Sequence, residues 1–146
     1  MAFWDHIKHF KKEEFKQDPD RADFFLIREL DGIREETELP IIIHEVWAES
    51  GHVEDSHHYS GIAADFHFND PNKNYFLQLL YLITNQNIGA IGFYPNWNNP
   101  GWHIDLKKGL TWYRDKKGFY HYGVEALCRA IREKEAKAIG HKYFKL

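Results

Sequence analysis

Three short segments concentrate side chains able to hold a metal ion or to move protons: Ser56-His57-His58-Tyr59-Ser60-Gly61-Ile62-Ala63-Ala64-Asp65, Trp102-His103-Ile104-Asp105, and His44-Glu45-Val46-Trp47. Imidazole nitrogens and carboxylate oxygens suit a divalent ion such as zinc. A catalytic zinc takes three such protein ligands and keeps its fourth position for water. The chain carries ten histidines in 146 residues but one cysteine, Cys128. No intrachain disulfide or thiolate cluster is therefore available, and any metal site must be built from His, Asp and Glu. Cys128 falls in a helical context and reads as a small buried hydrophobe rather than a nucleophile.

The first segment places His58 at the end of a loop and Asp65 inside a strand, with Gly61 between them to permit a tight reversal. Ala63 and Ala64 are small, so the backbone can pack closely behind. Strand alternation puts Ala63, Asp65 and His67 on one face, and His103 and Asp105 on one face of a later strand. An ionised carboxylate pointing inward is costly unless it is paired or bound to metal. If the two strands are neighbours, His58, Asp65 and His103 supply three ligands. Taken alone, a His-x6-Asp spacing is a weak signal, and plainer readings stand beside it. His57 would point away from its neighbour, as a surface group or a partner to a ligand. His67 reads as an ordinary strand histidine. Asp105 would pair with Lys107 or Arg114, and His44 and Glu45 would be satisfied polar groups at a strand end. Trp97 and Trp102 would be core or pocket wall.

The elements that must position these groups follow from periodicity. Residues 21–37 predict a helix capped by Asp20, with Leu26, Ile27, Leu30 and Ile33 inward. Pro40 starts a new element, and Ile41-Ile42-Ile43 is a β-branched run typical of a buried strand. Residues 48–61 read as a polar loop and 63–68 as a strand. Residues 72–86 predict a helix with Phe76, Leu79, Leu80 and Ile83 inward. Residues 88–94 and 102–106 read as strands joined by the turn Asn96-Trp97-Asn98-Asn99-Pro100-Gly101. A hairpin around Asp115-Lys116-Lys117-Gly118 joins residues 110–114 to 119–122. Residues 124–138 form a closing helix, followed by a short basic tail. Helices packed against a mainly antiparallel sheet make an α+β domain, expected to span residues 1–146 as one unit.

Bulk composition narrows the function classes. Hydrophobic residues make up 43% and aromatics 16%, so the chain can bury a core. The net charge of -3 argues against nucleic acid as a partner, which calls for a basic surface. No stretch approaches the roughly 20 apolar residues of a membrane span. Met1 to Lys8 contains no apolar run of secretory-signal length. The expectation is synthesis in a cytoplasm, with no membrane partner.

The pattern Ser56-x-His58-x-x-Gly61-x-Ala63-x-Asp65, followed by Trp102-His103-Ile104-Asp105, resembles the zinc D-alanyl-D-alanine carboxypeptidase and endolysin peptidase family, which shares its fold with the hedgehog signalling domain. The Gly-rich strand Gly89-Ala90-Ile91-Gly92-Phe93-Tyr94-Pro95 before the His-x-Asp is similar to that family. So are Phe10 to Phe15 with Glu14, and Leu30-Asp31-Gly32-Ile33-Arg34-Glu35 ahead of Pro40-Ile41-Ile42-Ile43. The likeness covers residues 10–122. It implies a hedgehog/DD-peptidase-like fold and one Zn2+ held by His58, Asp65 and His103. It also implies hydrolysis of peptide bonds in bacterial peptidoglycan, as a carboxypeptidase or an endopeptidase. The stem peptide would be the substrate, touched by Ser56 of the motif and by a groove wall of Tyr94, Trp97 and Trp102. Many small family members without a signal are phage lysis enzymes, which implies release to the cell wall during lysis or a place in the virion.

Two departures from the family pattern bear on catalysis. Family members often carry an arginine shortly after the Ile-rich strand, where Trp47 stands here with no arginine close in sequence. Many also carry an acidic residue three positions before the last zinc histidine, or a histidine two before it; those positions are Pro100 and Gly101. The general base is then one of Asp105, Glu45, His44 and Glu49. Asp105 ranks first because it shares a strand face with His103. The alternative function is a non-catalytic domain of the same fold that binds cell-wall peptide or serves as a viral structural part. A hydrolase acting on another small amide is a third.

Overall fold

The computed structural model describes residues 2–143. It is an α+β fold in which one six-stranded mixed sheet is accompanied by three α-helices. The strands are β1 (Ile41–Glu45), β2 (Ala63–Phe68), β3 (Ala90–Tyr94), β4 (Gly101–Asp105), β5 (Trp112–Arg114) and β6 (Tyr120–Tyr122). They lie in the order β1-β2-β4-β3-β5-β6. Four of the five ladders are antiparallel, but β3 and β5 run parallel, so the sheet is mixed and not antiparallel throughout. The reason is spatial. β4 already occupies one edge of β3, so the chain leaving β4 must cross to the other edge and run up it. The crossing passes against Gly89, where a Cβ would sit 2.3 Å from the Lys107 backbone. Gly109 N–H closes it by donating to the Gly89 carbonyl at 3.1 Å.

The first two helices begin later than periodicity alone suggests, and the third begins at Val124 as expected. α1 spans Phe24–Thr37 and is capped by Asp23, whose carboxylate accepts from Phe25 N–H at 2.8 Å. The expected cap, Asp20, lies instead in a 3₁₀ turn, Pro19–Arg21, and accepts from the Trp4 indole. α2 spans Tyr75–Ile83 behind an Asn74 cap, and its inward stripe is Tyr75, Gln78, Leu79 and Leu82. Leu80 and Ile83, expected inward, are exposed. The polar Gln78 occupies the stripe because its amide has two partners, donating to the partly exposed Asp70 and accepting from the buried Trp102. α3 runs over Val124–Tyr143, so the helix continues into the expected basic tail, the rest of which lies outside the described residues. No helix among the described residues is long and apolar enough to cross a membrane.

Alternation divides the sheet into two working faces. Ala64, Phe66, Phe93, Trp102 and Ile104 point into a core shared with Leu26, Ile27 and Leu30 of α1. The opposite face presents Asp65, His67, His103 and Asp105. Trp102 was expected in a groove wall. It is fully buried on the core face, one residue out of phase with His103, and donates its indole N–H to Gln78.

Candidate metal centre

β2 and β4 are the inner strands that carry the site. Asp65 pairs directly with His103, and Ala63 with Asp105. The small Ala63 neighbours Asp105 on this face, and Gly92, opposite His103, leaves its space to the Trp112 indole. His58 arrives from a 3₁₀ turn, His57–Ser60, capped by the Ser56 hydroxyl, which accepts from His58 N–H at 3.3 Å. Gly61 ends that turn at φ 67, and a Cβ there would meet Arg21 O at 3.0 Å. Ser56, expected as a substrate contact, therefore has a structural task in fixing the His58 backbone.

The structure brings the three expected ligands together. His58, Asp65 and His103 are all buried, and one donor atom from each lies within 4.8 Å of the others. Asp65 Oδ1 is 2.9 Å from His103 Nδ1, and Asp65 Oδ2 is 3.4 Å from His58 Nε2. A tetrahedral ion with bonds of about 2.1 Å holds its donors about 3.4 Å apart. Two nitrogens and a carboxylate at these separations fit a divalent ion after small side-chain movements. Buried His and Asp groups here can thus hold a metal ion.

Neighbouring groups hold the donors in place. His103 Nε2 lies 2.6 Å from Asp105 Oδ2, leaving Nδ1 to face Asp65. This is the carboxylate–histidine arrangement that fixes the tautomer of a metal-ligating imidazole. Burial alone would push His103 down, but its bonds to Asp105 and Asp65 raise its pKa to about 9. Burial likewise pushes Asp65 up, yet contacts with His103 and His58 hold it well below the usual carboxylate range. His103 thus lies between two carboxylates, one at each ring nitrogen. The Tyr94 hydroxyl donates to Asp65 Oδ1 at 3.1 Å; burial and the Asp65 charge push this phenol far up, so it stays protonated. Tyr94, expected at the substrate, bonds Asp65 through its hydroxyl and stacks its ring on Trp97.

The base candidates separate cleanly. Asp105 engages both oxygens, one with His103 and the other with His57 Nδ1, so it is a positioning group rather than an open base. It pairs with neither Lys107 nor Arg114. Glu49 is exposed and bound to Arg21 at 2.9 Å. His44 Nε2 lies 2.7 Å from His67 Nδ1, with the two rings stacked beside Trp97. Glu45 remains: it lies beside His58, is half-buried, and pairs with His52.

Three side-chain contacts, two of them at the site, were not anticipated from sequence. Trp112 of β5 packs on His103 with ring centroids 5.3 Å apart, in the space that Gly92 leaves open. His52 reaches Glu45 from the loop after β1. Arg21 stacks over Trp47 at 3.7 Å, supplying a guanidinium where none is near in sequence. Tyr94 stacks on Trp97 at 4.0 Å, so Trp97, Tyr94 and Trp112 form a continuous aromatic row beside the centre.

Comparisons with family models, with curated proteins and with solved structures found no significant match.

Proposed function

We propose that the chain is a zinc peptidase that hydrolyses peptide bonds of peptidoglycan stem peptides, of the carboxypeptidase and endolysin type with the hedgehog/DD-peptidase fold. The observation that carries this reading is the convergence of His58, Asp65 and His103, from a turn and two strands, into one buried cluster. The spaced motif that resembles the family supplies the same three residues. Bound there, zinc would supply a water of pKa about 7 and polarise the scissile carbonyl.

The chain's own residues divide the remaining tasks. Asp105 and Tyr94 hold the ligands His103 and Asp65 in orientation. Glu45, supported by His52, takes the proton from the attacking water and returns it to the leaving amine. Such a group contributes about 10²–10⁴-fold. The aromatic row of Trp97, Tyr94 and Trp112 beside the centre is the surface assigned to contact with the peptide.

One observation favours a second reading. With both oxygens of Asp105 engaged, the carboxylate nearest His103 is closed to proton transfer. A chain that held zinc but moved protons poorly would serve as a cell-wall-peptide binder. The two readings separate on purified protein incubated with peptidoglycan and defined stem peptides, with and without chelator. The peptidase reading expects new amine termini in the zinc-loaded sample, lost with chelator and in His58→Ala. Stoichiometric binding of stem peptide with no product after prolonged incubation contradicts it.

A further inference from the structure

His58 meets a carboxylate at each ring nitrogen. Its Nε2 faces Asp65 Oδ2 at 3.4 Å, and its Nδ1 lies 3.1 Å from Glu45 Oε1. The second contact lacks hydrogen-bond geometry: Nδ1 is a buried atom without a hydrogen-bond partner, in a residue only 2% exposed. If Nδ1 carries the proton, a donor is stranded in the interior. If it is bare, its lone pair faces a carboxylate oxygen. Neither state suits the arrangement, whereas a cation between nitrogen and carboxylate suits it well. A third donor is already in place. His52 Nε2 lies 2.5 Å from the same Glu45 oxygen, and its ring stacks on that of His58 with centroids 4.4 Å apart. Donor atoms of Glu45, His52 and His58 all fall within 4.8 Å of one another.

We propose that Glu45, His52 and the Nδ1 of His58 form a second position for a divalent transition-metal ion of the zinc class, sharing His58 with the first. This rests on the reading of His58 as a ligand to the first ion through Nε2. Two nitrogens and a carboxylate oxygen suit zinc, cobalt or nickel better than calcium or magnesium. When both positions fill, the His58 imidazole bridges the ions and its last ring proton leaves to solvent. Charge then balances: two divalent ions bring four positive charges, against Asp65, Asp105, Glu45 and the bridging imidazolate. The second position is the more open, with Glu45 and His52 side chains 27% and 28% exposed against 11% and 10% for Asp65 and His103 of the first. It should fill last and empty first. Because its ion occupies Glu45, it removes the group assigned to proton transfer, so the second ion inhibits.

The test counts ions. Metal-free full-length protein is dialysed to equilibrium against buffered zinc, and bound zinc per chain is measured by mass spectrometry, with circular dichroism confirming the fold. The proposal expects two ions in the wild type and loss of the second in both His52→Ala and Glu45→Gln. A wild type that saturates at one ion overturns it; the contact is then only an orienting one between Glu45 and His58. A second ion that survives both substitutions lies elsewhere and also overturns it. Peptide cleavage followed along the same titration is expected to rise to one equivalent and fall toward two. Two ions that respond to the substitutions, with no cleavage at any ratio, keep the second position and remove the peptidase reading. Cleavage with a single ion does the reverse.

Discussion

Asp65 and His103 stand directly opposite one another across the β2–β4 ladder, and Asp65 Oδ1 lies 2.9 Å from His103 Nδ1. Directly opposed residues on one face hold their Cβ atoms about 4.5–5.5 Å apart. The separation of these two donors is thus set by backbone hydrogen bonds rather than by flexible side chains. Only His58 comes from outside the ladder, and its turn is tied down by the Ile62 N–H bond to the His57 carbonyl and the Gly61 N–H bond to the His58 carbonyl. A centre built this way is preformed. Asp65→Ala is therefore expected to abolish tight zinc binding while the circular dichroism spectrum stays native, since the ladder survives the loss of one side chain.

Asp105 acts through His103. Asp105→Asn keeps the shape but removes the charge that fixes the imidazole. Zinc affinity is expected to fall about 10–100-fold, measured by competition with a chromophoric chelator. Unchanged affinity would mean that Asp105 does not orient the ligand.

The raised His103 pKa gives the metal-free protein a pH signature. Its folded value of about 9 exceeds the ordinary value of about 6.5, so the protonated ring stabilises the fold. That contribution is complete below about pH 6.5 and is lost as pH rises through about 9. Thermal unfolding of metal-free protein is expected at a lower Tm near pH 9.5 than near pH 6.5. Zinc must displace the same proton, so its affinity is expected to rise with pH up to about 9 and then level off.

Gly92 gives the clearest steric prediction. A Cβ there would lie 2.2 Å from the Trp112 indole, so Gly92→Ala must push the ring off His103. Overpacking of this kind costs about 1–3 kcal/mol. Denaturant unfolding is expected to show that loss, and Trp fluorescence a more solvated indole.

Much of the centre was legible because alternation is a strict rule. Once residues 63–68 and 102–106 are read as strands, Asp65 with His67, and His103 with Asp105, must share faces. The same rule sends Trp102 to the core, and its expected place in a groove wall conflicted with the alternation that located His103. Other features depend on partners that no local pattern names. Trp112 reaches His103 only because β5 runs parallel beside β3, a pairing set by the crossing after β4. His52 is only seven residues from Glu45, but it meets that residue through the path of an irregular loop, and Arg21 reaches Trp47 from a 3₁₀ turn distant in sequence. The engagement of Asp105 by His57 depends on how the turn at residues 57–60 aims the first of two adjacent histidines. The phase of α2 was misjudged because its buried stripe includes Gln78, a polar residue inward only where Trp102 and Asp70 await its amide.

The central claim is that His58, Asp65 and His103 grip one ion between them. A crystal structure of the protein loaded with one equivalent of zinc, located by anomalous scattering, tests it most directly. The expected result is a zinc peak bonded to His58 Nε2, Asp65 and His103 Nδ1 at about 2.0–2.2 Å, with a fourth position open to solvent. Zinc bound elsewhere, or three side chains left hydrogen-bonded to one another at full zinc loading, would contradict it.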